Sequence, residues 1–321
     1  MLTAGVGSLN WVWHGAVMSK TNALVKKMSL LTLLLAPLTA QAIVFQTRVE
    51  NVEWLVEGDR FECRLIHPIS DFGRGVFVRR AGEKTFLRVQ STEAWFMRGQ
   101  VRLYAAAAPW QSAQTDLSLG VAMVARNERV VETSQAQGER LLTALLEGRS
   151  PVLRHSTVQS VPLEVRIQPS SFPVAYDDFL QCTNNLLPVN FEQIRQTLVR
   201  FEAGSYDLGE NTRKHLDLLL EYLAEDQSVN RITLDGHLDN SGDRLLNRDV
   251  SRRRALAVKA YLGARGFDED AIVVRFHGER YPLKKNNTAA GRAANRRVAI
   301  RLERIDTEVV EMMEKVGDDN F

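Results

Sequence analysis

Hydrophobic and polar positions change period several times along the chain. The first pattern is a continuous apolar run from Met28 to Leu38, preceded by Lys20, Lys26 and Lys27 and followed by Ala40-Gln41-Ala42. A bilayer span needs about 20 apolar residues, so this shorter run with small residues at 40 and 42 fits a secretory signal peptide. Residues 1–42 are therefore expected to be removed, with cleavage after Ala42. The signal lies deep in the chain, and residues 1–17 are expected to reflect a start called too early, with Met18 as the true start.

From 43 to about 170 the period is mostly two, as half-buried strands require. Leu163-Glu164-Val165-Arg166-Ile167 alternates cleanly, and Thr85 to Val89 and Val101 to Tyr104 do so less cleanly. One helix is expected where Leu141, Leu142, Leu145 and Leu146 share a face, with Gly148 as its C-terminal stop. Gly73-Arg74-Gly75 reads as a turn. Residues 168–190 carry Pro169, Pro173 and Pro188 around an amphipathic stretch from Tyr176 to Leu187, which reads as a junction between two domains.

Beyond about 195, strand and helix patterns alternate. Strands are expected at Thr197 to Phe201, Arg231 to Leu238, Ile272 to Phe276 and Val298 to Leu302. Helices are expected at Asn211 to Leu223 and Leu245 to Ala264, the latter with a stripe of Ser251, Ala255, Val258 and Leu262 and a stop at Gly266. The fold class that follows is α+β: a β-rich first domain over 43–189, then an α/β sandwich over 190–304 with helices on one face of a mixed sheet. Residues 305–321 form a C-terminal tail, with a short helix expected at Glu308 to Val316.

Composition narrows the function. The full chain has 41 Lys and Arg against 39 Asp and Glu, and losing the three lysines of the signal leaves 38 against 39, a net charge of −1. Nucleic-acid binding driven by charge is thereby disfavoured. Cys63 and Cys182 are the two cysteines. An exported protein permits disulfides, and they are expected to be bridged rather than to be two buried thiols. No second long apolar run follows the signal and no cysteine follows it to accept a lipid, so a periplasmic protein localised by what it binds is expected.

The residues that carry chemistry open with Gly236-His237-Leu238-Asp239-Asn240-Ser241-Gly242, continue through Asn247 and Ser251 to Arg254-Ala255, and close with Asn286, Thr288, Gly291-Arg292 and Asn295-Arg296-Arg297-Val298. This order and spacing resembles the OmpA-like family of peptidoglycan-binding domains. Leu238, Val250 and Phe276 depart from that family's pattern, but none of them removes a charged position. The resemblance implies that Asp239 and Arg254 make the main ligand contacts, with Asn247 and Arg296 in support, and that the ligand is the diaminopimelate of the peptide stem.

Physical chemistry points the same way. Diaminopimelate carries an ammonium and a carboxylate, which call for an acceptor-only anion and a planar cationic fork. Asp239 lies at a strand end and Arg254 in the first half of the next helix, so both can reach one pocket. The alternative is that Asp239 and Arg254 form only an internal salt bridge with each other. His237, Asp239 and His277 suggest a metal set only weakly, because no further cysteine or carboxylate stands at ligand spacing. No metal and no cofactor are expected. An enzyme is not expected either, since G-x-S-x-G, H-E-x-x-H and a free thiol are all missing.

The first half adds a second resemblance. Cys63-Arg64-Leu65-Ile66-His67-Pro68-Ile69, then Phe72-Gly73, with Pro109-Trp110, Leu186 and Phe191-Glu192, is similar to the MotY family of flagellar motor proteins. There a non-enzymatic β-rich domain precedes an OmpA-like one, with a cysteine at each matching place. The resemblance implies a periplasmic T ring around the basal body, on the outer-membrane side, that helps hold stator units, with MotX as a partner in some species. The competing reading is a non-flagellar OmpA-like envelope anchor.

Overall fold

The computed structural model describes residues 42–108 and 114–305. The signal peptide, Pro109-Trp110 and the tail helix expected at Glu308 to Val316 lie outside the described residues.

In the first half, strands β1 (Ile43–Phe45), β2 (Leu55–Gly58), β3 (Glu62–Ile69), β4 (Gly73–Arg80), β5 (Phe86–Ser91), β6 (Gln100–Ala106), β7 (Leu117–Val124) and β8 (Val130–Glu132) are followed by helix α1 (Gln135–Leu146). Strands β9 (Ser150–Ser156) and β10 (Pro162–Arg166) and helix α2 (Phe172–Asn184) complete it. The strands form one ten-stranded sheet in the order β1-β10-β9-β6-β7-β8-β5-β4-β3-β2. Neighbours are antiparallel except β1, which runs parallel to β10 with Ile43 opposite Leu163.

Helix α1 starts at a capping box, in which Ser134 and Gln137 satisfy each other's backbone N–H groups. Leu141, Leu142 and Leu145 are buried against the sheet, whereas Leu146 is 48% exposed, so the apolar face is one residue narrower than the sequence pattern suggested. Gly148, at φ 76°, takes the left-handed position after the helix. Gly73 and Gly75 lie within β4 rather than in a turn. The chain reverses one step earlier, where the Phe72 N–H donates to the Ile69 carbonyl and Asp71 takes a positive φ.

The proline-flanked junction is also more structured than expected. Helix α2 buries Phe172, Ala175 and Phe179 in the same core as Leu65, Phe77, Leu103 and Leu141, and so belongs to the first domain's interior. Cys182, in its last turn, is disulfide-bonded to Cys63 of β3. The backbone at Gly58 approaches so closely that a Cβ there would lie 2.6 Å from the Cys182 sulfur.

The second half contains α3 (Phe191–Ile194), β11 (Gln196–Arg200), α4 (Glu210–Glu225), β12 (Arg231–His237), α5 (Arg244–Gly263), β13 (Ile272–Gly278), α6 (Ala289–Asn295) and β14 (Arg297–Glu303). Its sheet order is β11-β14-β12-β13, with β12 and β13 parallel and the other pairs antiparallel, which makes it a mixed sheet. Val298, Ile300 and Leu302 alternate along β14 and share a core with Leu216 and Leu219 of α4 and Ala255, Val258 and Leu262 of α5. The helices therefore cover one face, as the periodicity implied. Asp243 caps α5 by accepting from the Leu245 and Leu246 N–H groups.

The two halves touch. Ala81 and Leu187 belong to the second core, and the rings of Phe61 and Tyr222 lie 5.7 Å apart. Arg60 also bridges Glu225 at 2.9 Å and Glu221 at 3.1 Å, although these ion pairs are exposed.

Candidate functional site

The site forms where β12 ends and α5 begins. Asp239 follows β12 and is 5% exposed. Its Oδ1 accepts from the Ser241 N–H at 2.9 Å and its Oδ2 from the Arg296 Nη1 at 2.8 Å. Burial alone would push the Asp239 carboxyl up, but the Arg296 guanidinium and the Ser241 amide outweigh it and hold the group below the usual carboxylate range. Asp239 is thus an anion at neutral pH.

Arg254, on α5, is wholly buried. Its Nε donates to the Ser205 carbonyl at 2.8 Å and its Nη2 to the Glu202 carbonyl at 2.7 Å, while the guanidinium lies 5.1 Å from the centre of the Phe201 ring. Its Nη1 is buried with no hydrogen-bond partner among the described residues. Burial, assisted by the like charge of Arg296 and opposed by Asp239, lowers the guanidinium to about 10, so it remains a cation at neutral pH. A buried charged N–H without an acceptor is costly, and a carboxylate is the group that would relieve it.

Asn247 lies on the inner side of α5, 4% exposed, and its Nδ2 donates to the Glu279 Oε2 at 3.1 Å and more weakly to the Asp239 carbonyl at 3.4 Å. Asn295 fastens the segment before α6. Its Oδ1 accepts from the Leu283 and Lys284 N–H groups, and its Nδ2 donates to the Lys284 carbonyl and the Asn286 side chain. Thr288 caps α6 through the Gly291 N–H. These motif residues are scaffold, and they deliver Arg296 to Asp239.

The four residues singled out from the sequence therefore gather around one place, with a changed pairing. Asp239 pairs with Arg296, and no ion pair joins Asp239 to Arg254 among the described residues. Sequence reasoning missed Phe201, Glu202 and Ser205, which supply a ring and two carbonyls. Backbone carbonyls carry no side-chain signature, so no pattern in the sequence could have identified them.

His237 stacks on His277 at 4.9 Å, and the His277 Nε2 lies 2.7 Å from the Asp235 Oδ1. Burial, with Arg297 and His277 nearby, lowers the His237 ring to about 4, which keeps it neutral at pH 7. Among the described residues, no group of three or more His, Cys, Asp or Glu side chains is arranged to hold a metal ion.

Comparison with known proteins shows what each half is similar to. Residues 45–188 match the family described as MotY N-terminal domain, and residues 200–296 match the OmpA family. The chain is similar to the sodium-type flagellar protein MotY of Vibrio parahaemolyticus, at 29% identity over 79% of this chain and 88% of the relative. It is also similar to the outer-membrane lipoprotein YfiB of Pseudomonas aeruginosa, at 43% identity over 22% of this chain and 43% of that protein. Among solved structures, the C-terminal domain of Helicobacter pylori MotB aligns with 39% of this chain and 97% of its own length, at 18% identity and a TM-score of 0.32.

Proposed function

From the premise that this chain joins a MotY N-terminal domain to an OmpA family domain, we propose that it is a non-enzymatic component of the flagellar motor that binds peptidoglycan through the Asp239 and Arg254 site. The observation that carries this reading is Arg254: a buried cation with two N–H groups spent on backbone carbonyls and a third left without an acceptor. The carboxylate of diaminopimelate fits that vacant N–H. Its ammonium competes with Arg296 for Asp239, and Arg296 is the more accessible member of that pair. Asn247 holds the Asp239 backbone in place from α5.

The first domain, on this reading, joins a T ring on the outer-membrane side of the periplasm, with MotX as a partner in some species, and the wall contact keeps stator units around the basal body. A single site binds weakly, and many copies in a ring raise the attachment through effective concentration. Sedimentation with purified peptidoglycan sacculi tests the site: the wild-type chain is expected to pellet and Asp239→Asn to remain in solution with its fold intact. Equal pelleting would reject it. Deletion of the protein is expected to leave flagella assembled but poorly driven. Blebbing or detergent sensitivity with normal swimming would instead favour a general envelope anchor.

A further inference from the structure

Four arginines stand beside the site without an ion-pair partner among the described residues. Arg244, Arg248 and Arg252 recur at every fourth position, and so share one face of α5, and Arg280 follows β13 across from them. Between them lies a groove of about 260 Å³ floored by Phe276 and by Leu245, which is 77% exposed, and continued toward Arg252 by a second hollow of about 350 Å³. The Arg248 guanidinium lies 5.1 Å from the centre of the Phe276 ring.

This groove adjoins the Asp239 pocket. Glu279 lines the groove and also accepts from Asn247, which in turn reaches the Asp239 carbonyl. Asn247 immediately precedes Arg248 on α5, so one helix contributes to both sites from consecutive positions. An extended peptide advances about 3.5 Å per residue, so the residues flanking a bound diaminopimelate are long enough to reach an adjoining groove.

Resting on the reading of the Asp239 pocket given above, we propose that this groove is a second anion subsite, which binds the free carboxylates of the same peptide stem while Phe276 and Leu245 take its methyl groups. The charges are complementary: a stem bears a carboxylate on the residue before diaminopimelate and another at its end, and the groove offers arginines that outnumber its two acids, Glu279 and Asp249, which are engaged by Asn247 and Arg253. Exposed single pairs contribute little, but several acting on one ligand raise both affinity and salt sensitivity.

The test compares two probes on residues 43–321 and on their Arg244→Gln/Arg248→Gln/Arg280→Gln variant, with melting temperature recorded for both. The probes are free diaminopimelate and a soluble disaccharide tetrapeptide released from sacculi. The variant is expected to bind diaminopimelate as the wild type does but the tetrapeptide about tenfold more weakly, a loss that added salt abolishes. Unchanged tetrapeptide binding would overturn the subsite. Parallel loss of both probes would also overturn it, because the arginines would then only support the pocket. Vesicles containing an anionic phospholipid serve as a control beside the two probes, and a loss confined to them would assign the groove to a lipid surface instead. If the wild type bound neither probe, the peptidoglycan reading itself would fail, and the subsite with it.

Discussion

The two halves of this protein manage burial in opposite ways. Among the described residues of the first half, the buried polar set is hydroxyl side chains and one titratable group, His67, and the core is large, apolar and aromatic. In the second half Asp235, His237, Asp239, Arg254 and Arg297 are all buried, around a sheet of only four strands. Buried charge is retained at a cost in stability, and its concentration around Asp239 is what the proposed ligand site rests on. The first half, closed by a disulfide and built on ten strands, is shaped to be a firm platform.

The largest expected effect breaks the platform. The Cys63 to Cys182 bridge spans 119 residues, and by chain entropy its loss in Cys182→Ser should cost about 4 to 5 kcal/mol. Denaturant unfolding followed by Trp fluorescence would measure it, with a loss below about 1 kcal/mol contradicting the platform's dependence on the bridge. Next, Arg254→Ala should destabilise the second half by about 3 kcal/mol, because the Ser205 and Glu202 carbonyls lose their donors and a cavity opens. That substitution removes fold and binding together. Arg254→Lys keeps the charge but not the fork, so it should lower sacculus binding with a smaller change in melting temperature.

Acid affects both halves through buried histidines. The His67 Nδ1 lies 3.2 Å from the Glu53 carbonyl and its Nε2 accepts from the Gln168 N–H at 3.3 Å, an arrangement that suits the neutral ring. Burial lowers His67 to about 4, as it does His237. Both folded values lie below the unfolded value of about 6.5, so the unfolded chain takes up protons first. Stability is whole above pH 6.5 and falls as pH drops toward 4, by about 2 kcal/mol per histidine at pH 5. His67→Gln should remove that dependence from the first half and leave it in the second, which unfolding curves at pH 7.5 and pH 5 would resolve. The smallest effect sharpens the boundary: Arg60→Ala breaks exposed ion pairs with Glu221 and Glu225 and should cost less than about 1 kcal/mol. A larger loss would mean that these pairs, and not the Phe61 and Tyr222 contact, couple the halves.

Much of this was legible in the residues, and the illegible parts share a cause. The stripe of Ser251, Ala255, Val258 and Leu262 and the alternation in β10 and β14 are local patterns, and the helix and strands they specify are present. Helix α6 was missed because seven residues, four of them Ala and one Gly, show no apolar face. The parallel pairing of β1 with β10 joins positions about 120 residues apart, which no local period encodes. At the site, Asp239, Asn247, Arg254 and Arg296 could be named because their charges and spacing follow a motif. Their partners could not: Arg254 is held by carbonyls of the segment after β11, and Asp239 took Arg296 because the fold brings β14 beside β12.

The central claim is that Arg254 waits for a carboxylate beside an anionic Asp239. Calorimetric titration of residues 43–321 with two soluble stem peptides tests it most directly, one carrying diaminopimelate and the other lysine, which has the same ammonium but lacks the second carboxylate. A charge-assisted hydrogen bond contributes about 1.5 to 3 kcal/mol, so the lysine peptide should bind roughly tenfold to a hundredfold more weakly. Asp239→Asn should weaken both peptides. Equal affinity of the wild-type chain for the two peptides would contradict the account, because the vacant N–H of Arg254 would then have no part in recognition.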